Sequence, residues 1–166
     1  DKPTILVMAH MDEVGFLVSK INDGGFISLN PLGGWVDHVL WSQKWAIRKP
    51  DGHYIYSISG MDAPHVLSDF TKTPHADKSM LFLDTGLSKS ELIEQGIRPG
   101  MPVVPAQRFQ VLHGKKYAAK AFDDRAGLAV MIDLMRQINK DPSLLDQVNI
   151  VYAATVQEEL GMRGSK

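Results

Sequence analysis

The sequence contains no cysteine. Disulfides and thiolate metal sites are therefore excluded, and any metal must be held by histidine and carboxylate groups. The same absence agrees with a reducing compartment, and a cytoplasmic location is the expectation. Neither sign of charge is in excess: 18 Lys and Arg stand against 19 Asp and Glu, so no global field draws in nucleic acid or an anionic membrane surface. No apolar run approaches the roughly 20 residues that span a bilayer, and neither nucleic acid nor membrane is expected as a partner. No secretory signal, internal repeat or low-complexity tract is visible. What remains is the profile of a folded globular chain: 166 residues, 44% hydrophobic and 22% charged, enough for one ordinary domain or two small ones. It opens at Asp1 without a methionine and closes on "VQEELGMRGSK", and it reads as a piece of a longer protein.

Two continuous apolar runs, Thr4 to Ala9 and Val148 to Val156, have the pattern of strands buried on both faces. Between them, Asp124 to Lys140 repeats Leu128, Met131, Ile132, Met135 and Ile138 at helical spacing, with Asp133, Arg136, Gln137 and Lys140 on the other face. Asp141-Pro142 ends that helix, because proline disfavours helical backbone in the residue before it. A helix leading into a buried strand is α/β grammar with parallel strands. The middle of the chain differs. Short runs rich in aromatic and β-branched residues, Phe26 to Asn30, Lys44 to Arg48 and His53 to Ser59, are punctuated by glycine, and Asp51-Gly52 predicts a hairpin. One helix interrupts: Ser88 caps it, Glu91 completes a capping box and Gly96 ends it. The expected fold class is α/β, a partial parallel-sheet domain from residues 1–15 and 107–166 with a small β domain of residues 16–106 inserted.

Three polar clusters fall at boundaries of the α/β part. His10-Met11-Asp12-Glu13 follows the first strand, Asp123-Asp124-Arg125 opens the helix, and Gln157-Glu158-Glu159 follows the second strand. Ligands of open α/β sheets bind outside the carboxyl ends of the strands. His10 and Asp12, two apart in an extended segment, point to the same side. The imidazole can then ligate a metal while the carboxylate accepts the other ring N–H. Asp123 has two oxygens and can bridge two metals roughly 3.5–4 Å apart. Glu158 and Glu159 diverge as neighbours, so one can coordinate while the other acts as general base. This many carboxylates raise one another's pKa unless cations balance them. Each cluster also has an ordinary reading. His-x-Asp is common, acids at a helix start cap it, paired glutamates sit in solvated loops, and Arg125 pairs with a nearby carboxylate. His38, His53, His65, His75 and His113 read as structural or surface groups, with His38 and His65, both at expected turns, the two to watch.

"AHMDEVGF", "AFDDRAG" and "QEELGMRG" resemble the signature segments of the M42 peptidases, the TET-type metalloaminopeptidases. "PLGGWVDHVL", "PHVLS", "LFLDTG" and "GIRPGMPVV" are similar to that family's inserted domain, so the resemblance spans almost the whole chain in order. It implies that His10 ligates a metal with Asp12 as its orienting partner, that Asp123 bridges two metals beside a peptide bond to Asp124 that is often cis, and that Glu159 is a ligand. Glu158 would be the general base. The metals would be zinc or cobalt, with manganese compatible with the same ligands, and water held between them would attack the first peptide bond of a substrate with a free N-terminus. The insert would be a β-barrel-like dimerisation domain, in dimers that the family assembles into a hollow dodecamer.

The family's further carboxylate ligand and distal histidine lie beyond the Glu-Glu segment, and neither His nor Asp follows Glu159 here. The family's leading segment is also absent. The 166 residues alone are therefore expected neither to hold two metals nor to turn over substrate, while the parent protein is expected to be the enzyme. Another reading makes the chain a binding or assembly module built on the insert, with vestigial acids. A glycosidase using Asp12 or Glu158 is a weaker one, because it leaves His10 and Asp123 without a role.

Overall fold

The computed structural model describes residues 2–60 and 78–166. In chain order its strands and α-helices are β1 (Thr4–His10), β2 (Gly15–Ile21), β3 (Ile27–Leu32), β4 (Lys44–Arg48), β5 (Tyr54–Gly60), β6 (Phe82–Asp84), α1 (Lys89–Glu94), β7 (Pro102–Pro105), β8 (Gln110–Val111), β9 (Tyr117–Ala118), α2 (Phe122–Lys140) and β10 (Asn149–Thr155). They divide into two compact units, Asp1–Glu13 with Ala121–Lys166, and Val14–Lys120.

In the second unit, strands β2 to β7 close into an antiparallel barrel in the order β2-β3-β6-β5-β4-β7. The period-two alternation of a strand places Phe16, Val18, Ile27, Trp45, Ile47, Leu83 and Val103 inside, all buried. Leu40, Leu81, Leu92, Ile97 and Met101 from the connections and α1 complete this core. Phe16 stacks on Trp35 at 5.0 Å and meets Trp45 edge-on at 5.3 Å, arrangements that suit the ring quadrupoles. The hairpin expected at Asp51-Gly52 joins β4 to β5: Gly52 has φ +85°, and Lys49 N–H donates to the His53 carbonyl at 2.8 Å. Helix α1 begins at the Ser88 capping box with Glu91, and Gly96 follows it at φ +80°. Both features rest on local chemistry, which is why spacing alone located them. Residues 107–120, grouped by sequence with the α/β part, cluster with the barrel unit, where β8 and β9 form a hairpin held by Phe109 stacked on Tyr117.

The first unit pairs β1 with β10 in parallel, from Thr4 opposite Asn149 to His10 opposite Thr155. Helix α2 packs on β1, with Asp124, Gly127, Leu128, Met131, Leu134 and Ile138 on its less exposed side. Asp141 and Pro142 end it as expected. The expectation of strands buried on both faces is corrected. Only Ala9 and His10 of β1 are buried, while Ile5, Leu6 and Val151 are about half exposed. Two strands under one helix cannot cover both faces of a sheet, and the apolar run encodes more burial than these residues provide. No helix among the described residues is long and apolar enough to cross a membrane.

Candidate metal centre

The parallel register brings the clusters that follow β1 and β10 together within the first unit, and the start of α2 adds Asp123 beside His10. Because His10 lies opposite Thr155 at the end of the ladder, the residues after β1 and those after β10 leave the sheet side by side. Met11 N–H donates to the Thr155 carbonyl at 2.8 Å and extends the pairing one step further.

His10 is the buried group of the site. Its Nδ1 lies 3.1 Å from the carbonyl oxygen of Asp12. A carbonyl only accepts, so Nδ1 carries the proton and Nε2 is left with a lone pair or a second proton. Nε2 faces acids: Asp123 Oδ1 at 2.9 Å and Glu158 Oε2 at 3.7 Å. Burial pulls the His10 pKa down, but the hydrogen bonds to Asp123 and Asp12 and the charges of both carboxylates outweigh it, so the net shift is upward. Something positive belongs between Nε2 and these oxygens, either a proton or a cation.

Ligand atoms of His10, Glu158 and Glu159 all lie within 4.8 Å of one another. This nitrogen and carboxylate donor set suits zinc, cobalt or manganese. Glu159 is held up from the ordinary carboxylate range, first by burial and then by the charges of Glu158 and Asp123. A divalent cation relieves that repulsion by replacing it with coordination. Asp123 reaches His10 but stands outside the three-residue group, its side chain 86% exposed.

Asp12 meets the ring through both of its groups: the ring N–H goes to its carbonyl, and the carboxylate is 3.6 Å from Nδ1. The carboxylate also accepts two backbone N–H groups, that of Glu158 on Oδ1 and that of Glu159 on Oδ2, both at 3.2 Å. Burial raises the pKa of Asp12, and these two bonds lead the effects that bring it below the ordinary value. The other side of the Glu-Glu turn is fastened to itself: Gly161 and Met162 N–H donate to the Glu158 carbonyl, and Arg163 N–H to that of Gln157.

The Asp123–Asp124 peptide bond is cis. Asp123 and Asp124 have non-helical backbone angles, and Asp124 Oδ1 accepts the Gly127 N–H at 3.0 Å, so Asp124 caps the regular part of α2. Arg125 makes no ion pair among the described residues, contrary to its ordinary reading. His38 lies in a 3-10 turn of the barrel unit. His65, His75 and the "PHVLS" segment lie outside the described residues.

Supporting positions escape a reading based on polar clusters. A Cβ on Gly127 would collide with the Asp124 carboxylate, and one on Gly164 with the Val156 carbonyl. Ala121, Gln157 and Met162, none of them glycine, take left-handed φ values of 56–59° beside the acidic segments. Strained backbone of this kind is concentrated at functional sites. The glycines were visible as glycines, but nothing in Ala, Gln or Met announces that conformation.

An imidazole and two carboxylates converge at the carboxyl end of parallel strands, in a unit interrupted in sequence by a β-barrel, and this donor set is one that could hold a divalent cation. The chain belongs to the M42 glutamyl aminopeptidase family, whose model matches residues 1–166. It is 35% identical to the glutamyl aminopeptidase of Lactococcus lactis, over 99% of this chain and 46% of that protein. Among solved structures it resembles the TET aminopeptidase of a marine sediment archaeon of the Thaumarchaeota, with a TM-score of 0.90 and 35% identity over 99% of this chain and 46% of that one. The TET1 peptidase of Pyrococcus horikoshii, which can assemble into a tetrahedron or a large octahedral shell, matches with a TM-score of 0.79 and 26% identity over 99% of this chain and 48% of its own. The chain thus spans about half the length of these relatives.

Proposed function

We propose that the whole protein is a metal-dependent aminopeptidase that removes N-terminal residues from peptides, and that this chain supplies part of its active site. The observation that carries the reading is the convergence of His10, Glu158 and Glu159 within 4.8 Å, on the nitrogen that the Asp12 carbonyl leaves free. In this reading His10, Asp123 and Glu159 hold two divalent cations together with ligands outside these residues, and zinc or cobalt suits them best, with manganese also compatible. A bound cation would polarise the scissile carbonyl and offset the negative charge that develops on it. Glu158 takes the proton from the attacking water and returns it to the leaving amine. Asp123, whose carboxylate lies 2.9 Å from His10 Nε2, would ligate a cation bound beside that nitrogen. The family membership supports a peptide substrate with a free N-terminus. The barrel is proposed as the dimerisation domain, in dimers that build a dodecamer; the shells formed by the P. horikoshii relative support this.

The test is three variants read in two assays. H10A and E159Q are expected to weaken zinc binding by more than the roughly 10–100-fold typical of groups that only support a ligand. E158Q in the whole protein is expected to keep zinc and to lower kcat on an aminoacyl-anilide by about 10²–10⁴. Full turnover by E158Q, or zinc affinity unchanged in H10A, would overturn the proposal.

A further inference from the structure

We propose that the barrel unit carries a binding site for a phosphate group, held between the guanidinium groups of Arg48 and Arg98. Where β4 ends and a turn leads into β7, a surface cavity of about 330 Å³ is lined by Arg48, Lys49 and Arg98 and by no acid. Lys49 is already engaged, by Asp51 at 2.9 Å and by Gln95 at 3.1 Å. Neither arginine has an ion pair or a side-chain hydrogen bond among the described residues. The chain as a whole is nearly neutral, so two uncompensated cations on one concave surface are a local concentration of charge. They repel each other, and a bound dianion turns that repulsion into attraction. A phosphate ester carries a charge of about −1.5 to −2 near pH 7, and its oxygens match the forked N–H groups of arginine. The frame around them is held firmly. Ile97 and Met101, on either side of the turn that begins at Arg98, are buried in the barrel core. Gly100 takes φ +87° within it. Its N–H donates to the Val18 carbonyl at 2.8 Å, and the Val18 N–H donates to the Met101 carbonyl at 2.9 Å, so the turn is fastened to β2 twice. Pro99 and Pro102 fix φ in the same stretch, and Arg48 follows directly on the Ile47–Val103 pair of β4 and β7. A site preorganised in this way spends little binding energy on ordering its backbone. Its volume suits a small molecule: the free phosphate ion or a small ester of it.

The test follows the two arginines themselves in the whole protein. Phenylglyoxal modifies accessible guanidinium groups, and mass spectrometry locates each modified residue. Inorganic phosphate and a nucleoside monophosphate are each added over a range of concentrations. Modification of Arg48 and Arg98 is expected to slow together and saturably, whereas sodium chloride at the same ionic strength leaves both rates unchanged. Equal half-protection by the two probes identifies the free ion as the ligand, and a tenfold lower value for the ester identifies an ester. Both arginines are exposed, so truncating either leaves the core alone. In R48A the phosphate concentration that half-protects Arg98 is expected to rise about tenfold or more, and R98A is expected to do the same to Arg48. R98K keeps the charge but loses the fork, and its half-protection of Arg48 is expected to lie between those of wild type and R98A. H10A is expected to leave both half-protection values unchanged, so the outcome is independent of the metal reading. Protection that chloride reproduces overturns the proposal, as does protection of one arginine that the loss of the other does not weaken. Arginines that fail to react without phosphate also overturn it, because the cavity is then covered in the whole protein.

Discussion

At His10, a carbonyl that can only accept fixes the proton on Nδ1 and turns Nε2 toward Asp123 and Glu158. The pH dependence follows from that geometry. His10 holds its second proton above its ordinary value of 6.5, and Glu159 holds its proton above 4.5. Both must lose that proton to ligate, so zinc affinity is expected to fall as pH drops, beginning above 6.5, with proton uptake as metal leaves. Calorimetry in buffers of different ionisation enthalpy checks the proton count, and a pH-independent affinity between 5 and 8 would contradict it. In the metal-free protein the sign reverses. A folded-state pKa above the unfolded one means the folded state binds more protons, so the contribution of His10 is present below 6.5 and is lost as pH rises through its higher folded value. Residue types and spacings made His10, Asp123, Glu158 and Glu159 legible as candidates, and the structure brings the ligand atoms of His10, Glu158 and Glu159 together. The grip of Asp12 on two amides was not legible, because backbone N–H groups carry no residue identity.

Helix α2 shows what one element must do to present an acid. Its first residues leave helical geometry at Asp123 and Asp124, and the regular helix starts only where Asp124 caps Gly127. The Asp124 carboxylate fills the space that a Cβ on Gly127 would take. G127A must push that carboxylate aside, losing the cap and moving the neighbouring Asp123. Alanine would normally favour a helix over glycine by about 1 kcal/mol, yet here the cost is expected to exceed that gain, with a net loss of about 1–3 kcal/mol and weaker zinc binding. Urea unfolding monitored by far-ultraviolet dichroism measures the first, and a stabilised G127A would refute the packing argument. The helix and its stop at Asp141-Pro142 were plain in the sequence, since periodicity and proline act locally. The irregular start was hidden, because an acid pair reads equally well as ordinary capping.

Across the whole molecule the two units differ in how completely they are built. The barrel encloses a contiguous apolar core around Phe16, Trp45, Ile47 and Leu83, and its closure leaves no open sheet edge. The parallel pair of the first unit leaves Ile5, Leu6 and Val151 about half exposed. Amides of β2 to β7 are therefore expected to exchange far more slowly than those of β1 and β10, and L83A is expected to cost the barrel about 2–5 kcal/mol. Hydrogen exchange resolved by strand checks both, and equal protection in the two units would contradict the ranking. Strand content, the hairpin at Asp51-Gly52 and the Ser88–Glu91 cap were readable, because turns and caps are short-range chemistry. The closing order β2-β3-β6-β5-β4-β7 and the pairing of β8 with β9 were not, because strand neighbours are chosen by long-range burial that no local pattern records.

The sequence by itself determined the chemistry available to this protein: no thiolates, no charge field, and a histidine with three groups of acids at the boundaries of an α/β frame interrupted by β structure. These follow from residue identity and short-range periodicity. Only the tertiary structure decided which groups meet. It placed Glu158 beside His10 and Glu159, left Asp123 on the exposed side, and gave the Asp12 carboxylate to two backbone amides nearly the whole chain away. The physical reason is the parallel register of β1 and β10, which converts a separation of about 146 residues into hydrogen-bonding distance.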